Sequence, residues 1–83
     1  MSDFTDFVNL THSIRDKKLL EDFLVGVTTS KEQQELTQRI EIVRRLINGE
    51  PQQKISNDLG VGIATVTRGS KELSAGRFKA MRI

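Results

Sequence analysis

The segment GVGIATVTRG, residues 60–69, places Thr65, Thr67 and Arg68 within four positions of one another, among residues that are otherwise small or apolar. Threonine hydroxyls bond base edges or phosphates, and the threonine methyl meets the methyl of thymine. Glycines at 60 and 62 expose backbone N–H groups, and the start of a helix attracts phosphate. A second set precedes it. Gln52, Gln53 and Lys54 follow Pro51 directly, where they are placed to grip a phosphodiester backbone or an outer base. The chemistry on offer is recognition of polyanions and polar edges. No nucleophile–base set, phosphate-cradling loop or paired acid stands out, so an enzyme is not expected.

These side chains need elements to position them. No strand-like alternation occurs and there is a single proline, which makes helices the expected structure throughout. Asn48-Gly49 ends one helix, because glycine accepts left-handed dihedrals at little cost. Pro51 suits the first turn of the next, which runs from Gln52 to about Leu59. Gly60 ends that one, and Gly62 or Ile63 starts another, with Ile63, Val66, Ser70 and Leu73 on its inner side. A short helix, a turn with glycine and a second helix make a helix-turn-helix. Ile55 and Leu59 pack against Val66 across the turn, Ser56 is small where the helices approach, Gly60 takes a positive φ, and Val61 plugs the turn. The second helix of such a pair enters the DNA major groove by its N-terminal end. The groove admits it only if the exposed side chains are modest, as Ala64, Thr65 and Thr67 are; Gly62 and Ile63, at the helix start, are DNA-binding candidates with them.

Upstream, Phe4, Phe7 and Val8 begin a helix expected from about Asp3 to Ile14 or Arg15. Leu19, Leu20, Phe23, Leu24 and Val27 form a second apolar cluster, expected to end at Gly26 and the Thr28-Thr29-Ser30 run. Ser30 and Gln33 match a capping box. A long helix is expected from Lys31 to about Asn48. It carries one apolar stripe of Leu36, Ile40, Val43 and Ile47, and a second, rotated stripe of Ile42 and Leu46. A helix apolar on two sides needs cover on two sides. A second copy of the chain supplies it, giving an obligate homodimer; a monomer in which the first two helices cover both stripes is the other arrangement.

Charge and composition narrow the class. The chain has 83 residues, one domain's worth, and a net charge of +2. Residues 1–38 hold four bases and seven acids, and residues 39–83 nine bases and four acids, so the halves carry −3 and +5. The basic half is expected to face an anion. There is no cysteine and one histidine, His12, so no disulfide, thiolate or multi-histidine metal site is expected. No apolar run is long enough to span a membrane, and the acidic N-terminus lacks the order of a secretory signal. A cytoplasmic location is expected.

Two stretches, RIEIVRRLINGE (39–50) and NDLGVGIATVTRGSKEL (57–73), resemble the tryptophan repressor family of bacterial transcription regulators. The resemblance spans roughly residues 19 to 73. It implies an all-α, intertwined homodimer with a helix-turn-helix DNA-binding domain. Dimerisation helices are expected over 1–48 and the helix-turn-helix over 50–74, while residues 75–83 offer little for the family's last helix and are expected to form a short or disordered tail. It implies L-tryptophan as corepressor and a palindromic double-stranded DNA operator. By resemblance, Arg39 and Arg68 sandwich the indole, and Arg68 pairs with the ligand carboxylate, assisted by Thr29. By the same resemblance Val43 lines the indole pocket and Gly69 leaves room beside the ligand. Arg68 has a second candidate task, direct contact with phosphate.

The match has departures. Glu72 stands where the family carries a serine near the ligand's amino group, and a carboxylate there attracts an ammonium or repels a carboxylate. The stretch from Gly49 to Gly60 is one residue shorter, which moves the register of Gln52, Gln53 and Lys54. A helix-turn-helix dimer that does not respond to tryptophan, or that senses another small molecule, is the alternative. A module whose basic half meets an acidic protein is a third.

Overall fold

The computed structural model describes residues 3–82, and every regular element among them is helical. The order is α1 (Phe4–Ser13), α2 (Lys17–Val27), α3 (Ser30–Ile47), α4 (Gln52–Leu59) and α5 (Ile63–Ser74), followed by one 3-10 turn, Lys79–Met81. Backbone contacts divide the chain into two compact units, residues up to 33 and residues from 34 onward. The division falls inside α3, ahead of the expected end of the dimerisation helices at residue 48.

In the first unit, side-chain caps set the helix starts. Asp3 accepts from the Asp6 N–H at 3.0 Å and Asp16 from the Leu19 N–H at 3.0 Å. Each satisfies a donor that the first turn leaves without an intrahelical partner. The first helix is therefore Phe4–Ser13, a little shorter than expected, because Ile14 is already extended. Gly26 does not end α2; the helix runs through it to Val27, and Thr28 ends it by folding its hydroxyl back onto the Leu24 carbonyl at 2.6 Å. Stacked rings join α1 to α2, Phe7 lying 5.8 Å from Phe23 between centroids. No residue of either helix is buried.

The capping box of α3 is one residue earlier than the sequence suggested. Thr29 accepts from the Glu32 N–H at 3.1 Å, and the Glu32 carboxylate accepts from the Thr29 N–H at 2.8 Å. Thr29/Glu32 and Ser30/Gln33 both fit the pattern. The carboxylate wins because an ionised acceptor makes the stronger bond and suits the positive end of the helix dipole. Those bonds also hold the Glu32 carboxyl below its ordinary pKa, the Thr29 backbone bond contributing most.

In the second unit, α3 closes with two bonds, Gly49 N–H to Leu46 carbonyl and Glu50 N–H to Arg45 carbonyl, with Gly49 at φ +82°. This reverses the chain and lets Pro51 lead into α4. The core is small: Ile42, Ile55 and Val66 form one fully buried cluster, with Leu46, Leu59 and Val61 packed against it. Between α4 and α5, Gly60 takes φ +66°. Ser56, buried, donates its hydroxyl to the Val61 carbonyl at 2.6 Å, so its smallness admits the neighbouring helix and its oxygen closes the turn. Ile63, expected on the inner side of α5, is exposed. It occupies the first helical position, one turn ahead of the core-facing Val66.

Candidate ligand cavity and nucleic-acid interface

A cavity of about 470 Å3 opens between α3 and α5 in the second unit. From α3 it takes Arg39, Ile42 and Val43, three residues spaced to share one helical face. From α5 it takes Ala64, Thr65, Arg68, Gly69 and Glu72, again one face. Beyond α5 it takes Phe78. The cavity walls are thus two guanidinium groups, one carboxylate, aliphatic carbon and one aromatic ring.

Neither Arg39 nor Arg68 has an ion pair or side-chain hydrogen bond among the described residues. Both are exposed, so neither suffers burial of an unpaired charge. Two planar cations without partners on one cavity suit a flat anion, since guanidinium stacks on aromatic faces and forks onto carboxylate. Glu72 makes a 3.5 Å contact with Arg77. Gly69 has a more specific reason than room for a ligand. A Cβ there would lie 3.3 Å from Ile42 Cγ2 and 3.6 Å from Leu46 Cδ1, so the glycine sets how closely α5 approaches α3. Thr29 belongs to the first unit, where its hydroxyl is occupied in capping α3.

The candidate nucleic-acid residues fall into two groups. At the start of α5, Gly62, Ile63, Ala64 and Thr65 are exposed. Gly62 takes the N-cap position with no side-chain cap bond, leaving the first N–H groups of α5 without one. Thr67 and Gln52 are brought together: the Thr67 hydroxyl donates to Gln52 Oε1 at 2.8 Å. That bond ties the first residue of α4 to α5. Gln53 bonds Asn57 at 3.2 Å along α4.

Lys54, expected to meet phosphate, is engaged within the chain. Its ammonium lies 3.0 Å from Asp58 and 3.4 Å from Glu50. Arg45, at the end of α3, bonds the same two carboxylates, reaching Glu50 at 2.9 Å and 2.6 Å. The network links the end of α3 to the residue ahead of α4 and to the last turn of α4. Arg45 holds the Glu50 and Asp58 carboxyls below their ordinary pKa values, and Lys54 adds to this. Carboxyls with depressed pKa values stabilise the fold above their unfolded values and cease to as pH falls through the folded ones. Urea unfolding should therefore show stability constant near neutrality and falling below about pH 4. In Arg45→Met that acid dependence should shrink, and an unchanged profile would remove the network from the account.

Sequence reasoning did not find Ile42 and Phe78 as cavity residues, and it assigned Ala64 and Thr65 to DNA alone. The Ala64 and Thr65 result was available from spacing: they lie four positions before Arg68 and Gly69, on the same face.

A short helix and a second, small-residue helix around a glycine turn, with a bare helix start on a basic unit, define a DNA-binding regulator of the helix-turn-helix class. The sequence model of the family described as Trp repressor protein matches residues 2–82. A protein named Trp operon repressor homolog from Vibrio campbellii is 43% identical over 74 residues, covering 88% of this chain and 74% of that one. The protein of that name from Photobacterium profundum is 40% identical over 76 residues, covering 87% and 74%. The one from Vibrio cholerae serotype O1 is 39% identical over 75 residues, covering 89% and 73%. The chain belongs to the Trp repressor protein family. It is a transcriptional repressor and not an enzyme. No helix of the described residues is long and apolar enough to cross a membrane.

Proposed function

We propose that the chain is a cytoplasmic repressor that binds a palindromic double-stranded DNA operator as a homodimer, with L-tryptophan as its corepressor. The observation that carries this reading is the pair of unpaired guanidinium groups, Arg39 and Arg68, on a cavity whose wall includes Ala64 and Thr65 at the exposed start of α5. An aromatic amino acid between the arginines offers its ring to their planes and its carboxylate to the fork of Arg68. The bound molecule touches the residues that lead α5 into the groove, so filling the cavity selects the α5 orientation that meets DNA. A ligand shifts such an equilibrium only by its difference in affinity for the two orientations.

Support for the homodimer comes from uncovered apolar surface. Eight of the ten exposed large hydrophobic side chains among the described residues fall between Phe4 and Val27, and Leu36 of α3 is half exposed. So many exposed apolar side chains on amphipathic helices call for a protein partner. A second copy presents the same faces, and two-fold symmetry then matches a palindrome.

Glu72 favours a second reading of the ligand. Its carboxylate on the same cavity selects for a cationic group, which the ammonium of L-tryptophan supplies but which other amines supply as well. One experiment addresses both. A duplex selected from random sequence by the protein with L-tryptophan is titrated with and without the ligand, over a salt series. Tight binding only with L-tryptophan, falling steeply with salt, is the expected result. Equal binding in both conditions points to a regulator that does not sense tryptophan. No binding in either removes the operator reading.

A further inference from the structure

Phe78 is the one aromatic side chain of the second unit; the other three phenylalanines are Phe4, Phe7 and Phe23, and the chain has no tryptophan or tyrosine. It lies beyond α5, in the tail, yet it lines the cavity and is half-buried. The chain is turned to bring it there. Gly76, at φ +93°, reverses the backbone, and the Gly76 and Arg77 N–H groups donate to the Leu73 and Glu72 carbonyls at 3.1 and 3.0 Å. The Arg77 guanidinium lies 3.5 Å from the Glu72 carboxylate, fastening the turn at the cavity's edge. Phe78 itself is the one non-glycine residue at positive φ among the described residues, at +64°. A phenylalanine is strained there, and glycine would not be. Placement of the ring against the cavity is what the strained backbone achieves.

We propose that Phe78 is the aromatic wall of the ligand cavity and a specificity-determining residue for the ligand, delivered by the turn after α5. The inference rests on the reading of the cavity as the tryptophan site. The two guanidinium groups and Glu72 recognise charge and flatness. None of them measures the extent of an apolar ring system. Phe78 does, because a ring wall gains contact with each further aromatic carbon and makes offset or edge contacts with an indole. It also shields one side of the ligand from water.

The test uses the intact 83-residue chain and the ligand's own fluorescence. Because the protein has no tryptophan or tyrosine, indole emission reports L-tryptophan alone. Phe78→Ala is expected to weaken L-tryptophan binding about tenfold, and to leave the bound ligand's emission nearer its value in water. Phe78→Leu keeps an apolar side chain without the ring and is expected to weaken binding about threefold. It carries the test should the alanine variant fold poorly. Unfolding of each variant without ligand separates a binding effect from a loss of fold. Affinity and emission within about twofold of the wild type in both variants would overturn the assignment. So would tighter binding, which would mean that the ring obstructs the cavity rather than lining it. If the wild-type chain itself fails to bind L-tryptophan, the reading of the cavity fails and the role of Phe78 falls with it. Wild-type binding with unaffected variants removes Phe78 alone.

Discussion

Arg68→Ala is expected to leave the chain folded and to lose most of its response to L-tryptophan. The Arg68 side chain is exposed and bonds no other described residue, so its loss should change stability by no more than about 0.5 kcal/mol. Its proposed bonds to the ligand carboxylate are charge-assisted, each worth about 1.5–3 kcal/mol. Losing a forked pair costs about 3 kcal/mol, or roughly a hundredfold in affinity. Moving a two-state equilibrium from almost entirely one form to almost entirely the other takes about 5.5 kcal/mol of differential binding. A variant that has lost about 3 kcal/mol of it keeps less than half of that drive, so ligand should raise its DNA binding far less than it does for the wild type. Arg39→Ala removes only a stacking plane, about 1 kcal/mol at an exposed site, and should weaken the ligand by roughly a factor of five. Calorimetry with L-tryptophan reads both, and thermal unfolding verifies the fold. Two variants that bind as the wild type does would sink the sandwich. A deeper loss in Arg39→Ala than in Arg68→Ala would move the carboxylate to the other guanidinium.

Ile55→Ala is expected to cost about 2–4 kcal/mol and to take DNA binding with it. The core of the second unit rests on very few side chains. Ile42, Val43, Ile55 and Val66 are the buried apolar residues among those described, and Ile55 and Val66 have no exposure at all. Ile55 joins α4 to both α3 and α5, since its cluster holds Ile42 and Val66. Removing most of it leaves a void that three helices must share. A domain of this size has about 5–15 kcal/mol in hand, so the loss is a large fraction of the total. Urea unfolding followed by helical circular dichroism gives the magnitude. Gel shift with saturating L-tryptophan gives the functional consequence. A shift below about 1 kcal/mol would mean that the helix-turn-helix is held by something other than this cluster.

The helix-turn-helix was legible because its signals are local. Gly49, Pro51 and Gly60 each sit where one backbone conformation is required, and α4 begins and ends where they imply. Ile55, Leu59 and Val66 followed from helical spacing, and Val61 from the turn that it plugs. Elsewhere, local rules were degenerate. Two overlapping capping boxes compete at residues 29–33, and acceptor charge decides between them. A glycine near a helix end is usually a stop, but Gly26 is carried through because Thr28 supplies the closing bond just beyond it. Phe78 was beyond sequence reasoning for a different reason. Its place depends on a chain reversal, and the short tail around it has no periodicity to reveal a fold. Lys54 carries a feature that its sequence position alone did not bring out. A base beside a reading helix suggests phosphate, but carboxylates four positions to either side of it claim it first.

Ala64 and Thr65 belong both to the wall of the cavity and to the leading turn of α5. Under the proposed function a substitution at either position alters two phenotypes at once. Lineages that drift toward a new target sequence through these sites must re-tune their metabolite sensitivity in the same step. Changes at Arg39 or Phe78, which stand clear of that turn, can adjust sensitivity while sparing the choice of target. Divergence among relatives should follow that asymmetry, with the shared pair changing rarely and in company.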